Sequence, residues 1–460
     1  MTDSTQREVR AFSVGAVAQP AFIIFSDLSK IGPSLIELRK RGLAVLAVSQ
    51  KQGSVMVQKG IQLLGTPGHP FADLTEVSLR DATDISGIAD QASRWAQQYD
   101  VQGVLVNAEV YVDAGQVVAD MLGLPNPGWR ASTVCRNKLL QRRYLRQWSP
   151  VSALVTIPAD GVEGRSQAEK LAAEYPGPFP AAIKPLDRES SIGVRVVKDA
   201  SALADAIAAQ EPGSRVLVEE RVWGREFNVD TLVSNGKPIV TLFTQKGTNE
   251  DSTEFFVELV HTTPPANLDE HETALITEAQ LGVVDRLGFE NGYAHAEYRI
   301  THDGRVVLME IAARAPGDGC LHLYHLSTGR PIEPVIIDIA LGRPTEYPAV
   351  FRRRGRQVYF EHTPGVLRDI KAEGLAGITP RWLADTTGIW PELASADADA
   401  PATVHELFVI KPRGFVLEQL TESSNRAVTA IFDVPIDGDI DAEEARVRRA
   451  VTIETEPADG

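Results

Sequence analysis

Glu297 and Glu310 are the first pair of residues in this sequence whose spacing implies chemistry. Residues 293–300 and 305–311 are strand-like apolar runs on either side of Asp303-Gly304, a dipeptide typical of a tight hairpin turn. With those two residues at the turn, His302 faces Arg305, Ile300 faces Val307, and Glu297 faces Glu310. Cross-strand neighbours sit about 5 Å apart at Cβ on one face of the sheet, so two carboxylates placed there repel unless a cation lies between them. A hard divalent ion meets that demand. Mg²⁺ takes one or two carboxylates together with waters and substrate phosphates, and Mn²⁺ is chemically admissible. Tyr293, Ala294 and Ala296 lead into the first acid, and Val306 to Met309 into the second. An acid ending such a run is expensive unless it is paired or metallated. The alternative is a pair of solvent-facing glutamates on a half-exposed strand.

Other charged residues flank this pair. Arg314 follows the second strand and precedes Ala315-Pro316-Gly317-Asp318-Gly319, where it can reach a phosphate or an oxyanion, or else form an ordinary salt bridge. Lys184 ends the apolar strand Ala181-Ala182-Ile183, where a buried ammonium needs a partner such as phosphate. The loop Ser190-Ser191-Ile192-Gly193 offers hydroxyls and approachable backbone amides that can cradle an anion, and Lys138 offers a second positive charge. The stretch 218–227 holds Glu219, Glu220, Val222 and Glu226. As a linker between two strands it can present backbone groups to an adenine and a carboxylate to ribose hydroxyls, which chemistry permits without demanding.

These residues need a framework, and the chain supplies an α/β one. Residues 21–25, 43–48 and 101–107 are short apolar runs, separated by the helical patterns 33–41 and 88–98. Continuous apolar strands alternating with helices indicate a parallel sheet covered on both faces. This N-terminal α/β domain covers residues 1–128 and ends at Leu124-Pro125-Asn126-Pro127-Gly128. It lacks G-x-G-x-x-G, so no dinucleotide is assigned to it. Ligands of open sheets lie beyond the carboxyl ends of the strands, which makes Asn107, Ala108 and Glu109 rim candidates, or else simply turn residues. A small α+β unit follows at 129–215, with a basic amphipathic helix over 132–148, strands at 181–185 and 194–197, and a helix over 201–210. A second unit spans 216–340, with strands at 216–219, 226–233 and 238–244, a helix over 268–287, and the glutamate hairpin. The remainder, 341–460, reads as an α+β extension with strands at 357–361, 403–410 and 414–419, a helix over 424–432 and a frayed acidic end from 452.

Composition narrows the function classes. At 460 residues the chain exceeds one ordinary core, and two or three domains are expected. A formal net charge of -16 argues against a nucleic-acid-coating surface, while leaving room for a locally positive pocket. Cys135 and Cys320, the two cysteines, have no metal-ligand spacing and make no disulfide framework, which fits a reducing cytoplasm. The apolar stretch 11–25 contains Gly15, Gln19 and Pro20 and reads as a buried first strand rather than a signal or membrane segment.

In the order and spacing of these features, residues 130–330 resemble the ATP-grasp enzymes. The resemblance implies that Lys138 and Lys184 hold the phosphates of ATP and that Ser190, Ser191 and Gly193 belong to a covering loop. It further implies that Glu219 receives the adenine amino group, that backbone groups of Glu220 and Val222 contact the ring, and that Glu226 binds the ribose. Glu297 and Glu310 become Mg²⁺ ligands, and Arg314 stabilises the transferring phosphoryl group. One departure is visible: the position where the common pattern has Asn is Ala312, which puts a second fully coordinated metal in doubt. The Ala312-Ala313-Arg314 variant is similar to the branch of bacterial L-amino-acid ligases. So is Glu258-Leu259-Val260-His261, with Pro264 following, which resembles the Glu-x-x-His-x-x-Pro beside the acceptor amine in dipeptide-forming members. The implied activity is an ATP-dependent carboxylate-amine ligase working through an acyl phosphate on small-molecule substrates, amino acids foremost, with Arg314, Glu258 and His261 at the chemistry. Carboxylation, formate transfer or nucleotide-precursor synthesis on the same fold is the nearest rival, and a nucleotide-binding regulatory protein is the rival of another class. No nucleic-acid or membrane partner is expected, and a homodimer is left open.

Overall fold

The computed structural model describes residues 18–26, 28, 31–50, 74–186, 194–250, 255–348, 350–386 and 388–457. The chain opens with β1 (Gln19–Phe25), α1 (Gly32–Lys40), β2 (Ala44–Ser49), β3 (Leu74–Leu79), α2 (Ile85–Gln98), β4 (Tyr99–Val106) and α3 (Val112–Met121). Its four strands form a parallel sheet in the order β3-β2-β1-β4. Alternation along β1 explains why these strands read as unbroken apolar runs. Ala21, Ile23 and Phe25 pack with Ile88, Ala92 and Trp95 of α2 and Val118 of α3. Phe22 and Ile24 pack on the other face with Leu35 and Leu38 of α1. Each such buried side chain contributes roughly 1.5–3 kcal/mol of transfer free energy. The expected first stretch, 11–25, is described only from residue 18, and β3 was not anticipated.

Next come α4 (Trp129–Cys135), α5 (Lys138–Tyr144), β5 (Ser152–Thr156), α6 (Gly164–Ala172), β6 (Ala181–Pro185), β7 (Arg195–Val197), α7 (Ala200–Ala208) and β8 (Arg215–Glu220). The strands make an antiparallel sheet in the order β5-β8-β6-β7, with α6 and α7 supplying Ala168, Leu203 and Ile207 to its core. The single helix expected over 132–148 is two short helices. Asn137 is extended, at φ -136° and ψ 110°, and its side chain accepts from the Leu140 amide, so it caps a new helix rather than continuing the old one.

The largest sheet is built from β9 (Arg225–Ser234), β10 (Lys237–Thr248), β11 (Glu258–Thr263), β12 (Gly292–Ile300) and β13 (Val306–Ala312), with α8 (Glu270–Leu287), α9 (Cys320–Thr328) and α10 (Glu333–Ala340). It continues across residue 340. β14 (Arg353–Tyr359) pairs with β11, and the nine-stranded order is β13-β12-β9-β10-β11-β14-β19-β17-β16. The later elements are β15 (Gly365–Ala372), β16 (Arg381–Trp382), β17 (Thr403–Val409), β18 (Val416–Leu417), β19 (Val428–Pro435), α11 (Ile440–Ala450) and β20 (Val451–Glu456). Strands β18, β15 and β20 form a separate antiparallel sheet.

Two expectations fail in this region. Residues 428–432 are strand, not helix, because Val428, Thr429 and Ile431 belong to a buried, β-branched run paired on both sides, with β14 and β17. The acidic end is not frayed over its described part: Ile453 pairs with Ile370, which anchors β20.

The hairpin of β12 and β13 differs from the expected register in an instructive way. Glu297 does pair with Glu310, but Ile300 pairs with Val306 rather than Val307. Gly304 donates to the Thr301 carbonyl, so the turn is longer than two residues, and a bulge at Met309 restores the register before Glu310. Alternation then sorts the faces. Val229 of β9 and Ala294, Ala296 and Tyr298 of β12 pack on Ile276, Val283 and Leu287 of α8. The intervening residues Asn228, His295 and Glu297 line a cleft on the opposite face.

Candidate active site

That cleft, about 480 Å³, lies where the parallel sheet meets the large one. From the N-terminal side it is bounded by Ser26, Ser49 and the rim residues Asn107, Ala108 and Glu109, all at or just past carboxyl ends of strands. From the large sheet come Glu297, Glu310, Arg314, Glu258 and His261, and from the loop before α9 comes Asp318. The side chains of Glu297 and Glu310 are 25% and 37% exposed, so both look into the cleft rather than into the core.

Each acid has a cationic neighbour. Lys138, at the start of α5, places Nζ 3.0 Å from Glu310, and its ammonium holds the Glu310 carboxyl below its usual range despite burial. Lys246 lies deeper, on β10. Its Nζ is 2.8 Å from Glu226, 2.9 Å from Glu258 and 3.1 Å from Glu297. Burial pulls the Lys246 ammonium down, but the three carboxylates carry it well above the lysine range. Glu297 shows the opposite balance. Burial raises it, Lys246 opposes, and the nearby charges of Glu258, Glu226 and Glu310 leave it raised. Three glutamates around one ammonium leave an excess of negative charge, the electrostatic setting that favours a divalent cation.

The candidate nucleotide residues form two further knots. Glu219 is fully buried and pairs with both Arg142 and Lys184. Burial alone would raise its carboxyl, but those two cations hold it at about 2. Glu226 accepts from Lys246 and, at 2.6 Å, from Arg299, and burial is again overcome to leave it at about 2. Arg299 also donates to the Val222 carbonyl at 2.8 Å, which ties β12 to the 218–227 stretch. Glu220 faces away, paired with Arg305 at 2.7 Å. Ser190, Ser191 and Gly193 lie outside the described residues.

At the far end of the cleft, His261 Nε2 is 3.4 Å from Glu258 and 3.2 Å from Asp318. Arg426 grips Asp318 through two hydrogen bonds of 3.0 and 2.9 Å, and Tyr359 donates to the same carboxylate at 2.7 Å. Arg314 donates to Glu109 at 2.7 Å and to the Ala315 carbonyl at 2.8 Å, linking the two sheets across the cleft.

Sequence reasoning missed Lys246, Asn228, His295, Asp318 and Arg426. Lys246 had a signal, since it shares the period-2 face of Leu242 and Thr244, and a lysine on the buried face of a strand needs acids nearby. Asp318 lay within a quoted motif. Arg426 lies within the segment 424–432 misread as helix, and nothing local marks it.

Comparison with known proteins agrees with this architecture. Residues 177–322 match the family model described as the ATP-grasp domain. It is 30% identical over 199 residues to a D-alanine–D-alanine ligase of Parabacteroides distasonis, a match covering 42% of this chain and 58% of that ligase. It is 27% identical to the D-alanine–D-alanine ligase of Alcanivorax borkumensis, over 68% of this chain and 94% of that one. In three dimensions it is similar to the L-amino acid ligase from Bacillus licheniformis, with a TM-score of 0.72 over 96% of this chain and all of that one, at 20% identity. Among the described residues, no helix is long and apolar enough to cross a membrane.

Proposed function

We propose that this chain is an ATP-dependent ligase that joins two amino acids through an acyl-phosphate intermediate. The observation that carries the reading is the convergence, in one cleft, of the acid pair Glu297 and Glu310, the cation Arg314, and the amine-binding set Glu258, His261 and Asp318. The nucleotide is taken between the units 129–215 and 216–340. Lys138, Lys184 and Lys246 hold its phosphates in this reading, Glu226 binds the ribose, and Glu219 with the backbone of Glu220 and Val222 serves the adenine.

In the first step an oxygen of the substrate carboxylate attacks the γ-phosphorus, the bond to the β-phosphate oxygen breaks, and ADP leaves. Glu297 and Glu310 would hold a divalent cation, Mg²⁺ or Mn²⁺, which would supply neutralisation of the phosphate charge. The three lysines orient the phosphates for in-line transfer. In the second step the amine nitrogen of the other amino acid attacks the acyl carbon, Arg314 stabilises the oxyanion, and phosphate departs with the oxygen the carboxylate supplied. The attacking amine must be neutral. Glu258, whose carboxyl is kept low by Lys246 and His261 against its burial, takes the ammonium and removes its proton. Arg426 and Tyr359 fix Asp318 beside this point.

The test is ATP-dependent phosphate release across a matrix of amino-acid pairs, with mass measurement of the products. Paired amino acids should release phosphate in step with dipeptide. If no pair does so, the amino-acid reading fails and a different carboxylate or amine must be sought.

A further inference from the structure

Among the described residues the acids that line the cleft are Glu109, Glu258, Glu297, Glu310, Asp318 and Glu333. All but the last have a lysine or arginine nitrogen within 3.1 Å, from Arg314, Lys246, Lys138 or Arg426. Glu333 is the exception. Among the described residues no ammonium or guanidinium pairs with it, and at 6% exposure bulk water does little for its charge. A carboxylate so buried is expected to be paired, since leaving it alone in a poorly solvated place is costly.

Its surroundings do not repair the deficit. Burial raises the Glu333 carboxyl, the backbone amides of Glu333 and Ile332 at the start of α10 oppose, and the charges of Glu392 and Glu37 leave it at about 7. Glu333 also borders a smaller recess, together with Glu37 and Lys40 of α1, His322 and His325 of α9, and Glu392. None of these supplies a buried positive charge. Lys40 is exposed, and Glu37 is taken by Arg41 at 2.7 Å. His322 donates from Nε2 to the Pro391 carbonyl at 2.9 Å, and burial holds His325 below the ordinary histidine range.

Position decides which part of a substrate can reach this carboxyl. Of the acids on the cleft only Glu333 borders the recess as well, so it stands at the margin, apart from Glu310, Arg314 and Glu258. An α-amino group is separated from its own carboxyl carbon by a single carbon, which keeps it beside the reacting centre. The end of a long side chain is free to extend to the margin.

We propose that Glu333 pairs with the side-chain cation of one substrate, an ammonium or a guanidinium, and so selects a basic amino acid for that position. This rests on the amino-acid ligase reading given above. A neutral side chain of similar length leaves the carboxyl buried and unpaired, and that penalty is what discriminates.

The experiment uses the full chain with ATP and a divalent cation, and follows phosphate release and dipeptide together. Arginine is compared with citrulline and lysine with norleucine, each offered with a panel of second amino acids. The members of each pair are close in shape and differ in side-chain charge. In at least one pair, kcat/KM for the basic member should exceed that for the neutral one at least about tenfold at pH 8. Glu333 must be ionised to hold the cation, and a carboxyl at about 7 passes from mostly protonated to mostly ionised between pH 6 and pH 8. The ratio should therefore shrink about tenfold on acidification to pH 6, while groups at the reacting centre act on both members alike. That profile needs no mutation and stands even where a variant folds poorly. Glu333→Gln should bring the ratio at pH 8 to within about twofold of unity, whereas a purely structural role would lower both members together and preserve it. Basic and neutral members used equally well, or a preference that survives Glu333→Gln, overturns the proposal and leaves the ligase reading intact. If no pair, basic or neutral, releases phosphate, the ligase reading falls and the proposal falls with it.

Discussion

Removing the Lys246 ammonium probes how the charges of the cleft are balanced. Its Nζ lies 2.8, 2.9 and 3.1 Å from oxygens of Glu226, Glu258 and Glu297, and its side chain is 2% exposed. At an effective dielectric of about 20, a unit-charge pair near 3 Å is worth ~5.5 kcal/mol before desolvation. Desolvation offsets much of that, and deleting one partner of a buried ion pair costs ~3–5 kcal/mol net. Lys246→Met keeps most of the stem, so the loss is chiefly electrostatic.

The pH dependence has a definite sign. In the parent chain Glu226 is held at about 2 and Glu258 is lowered, both below the ordinary 4.5. Their stabilisation is present above that value and lost as pH falls through the folded one. In the variant Glu226 keeps Arg299, but Glu258 and Glu297 lose their nearest cation. Glu297, already raised, moves further up. A carboxyl raised in the folded state is penalised as pH rises through its folded value, and the penalty vanishes on acidification. Urea denaturation followed by tryptophan fluorescence should therefore show a deficit of ~3–5 kcal/mol at pH 7.5 that narrows towards pH 5. Equal stability at pH 7.5, or a deficit that does not shrink on acidification, refutes this reasoning.

Three other predictions test the site residue by residue. Glu297→Gln and Glu310→Gln should each cut ATP turnover by at least about a hundredfold while leaving the fold in place, since neither removes core volume; steady-state ADP release with circular dichroism checks both. Lys184→Ala should weaken ATP binding by about 1.5–3 kcal/mol, the worth of a charged hydrogen bond, read by calorimetry; unchanged affinity would remove Lys184 from the phosphate site. Glu258→Ala should depress amide formation by roughly 10²-fold, far more than it weakens ATP binding, so that ADP release outruns amide; unchanged coupling of ADP to amide would reduce Glu258 to a strand residue.

How much of this was legible in the sequence depends on where each signal sits. The parallel sheet was readable because both its faces are covered, which forces unbroken apolar strands such as Ala44–Ser49. The Glu297–Glu310 pairing was readable because a hairpin confines the register, although the longer turn and the bulge at Met309 cancelled each other unseen. Continuity of the sheet beyond residue 340 was not readable, because the pairing of β11 with β14 joins strands separated by α8, β12, β13, α9 and α10. Lys246, Asp318 and Arg426 acquire meaning only when three elements distant in sequence meet at one cleft. Their partners Glu226, Tyr359 and Glu258 lie on other strands, where no local pattern reaches.

The central claim, transfer of carboxylate oxygen to phosphate on the way to an amide, can be measured directly. A supported amino-acid substrate carrying ¹⁸O in both carboxyl oxygens is incubated with the chain, ATP, a divalent cation and the second amino acid. Mass analysis should find one ¹⁸O in each released phosphate and one in the new amide, with none in the nucleotide. Phosphate free of ¹⁸O, or label appearing in AMP, would contradict the acyl-phosphate account.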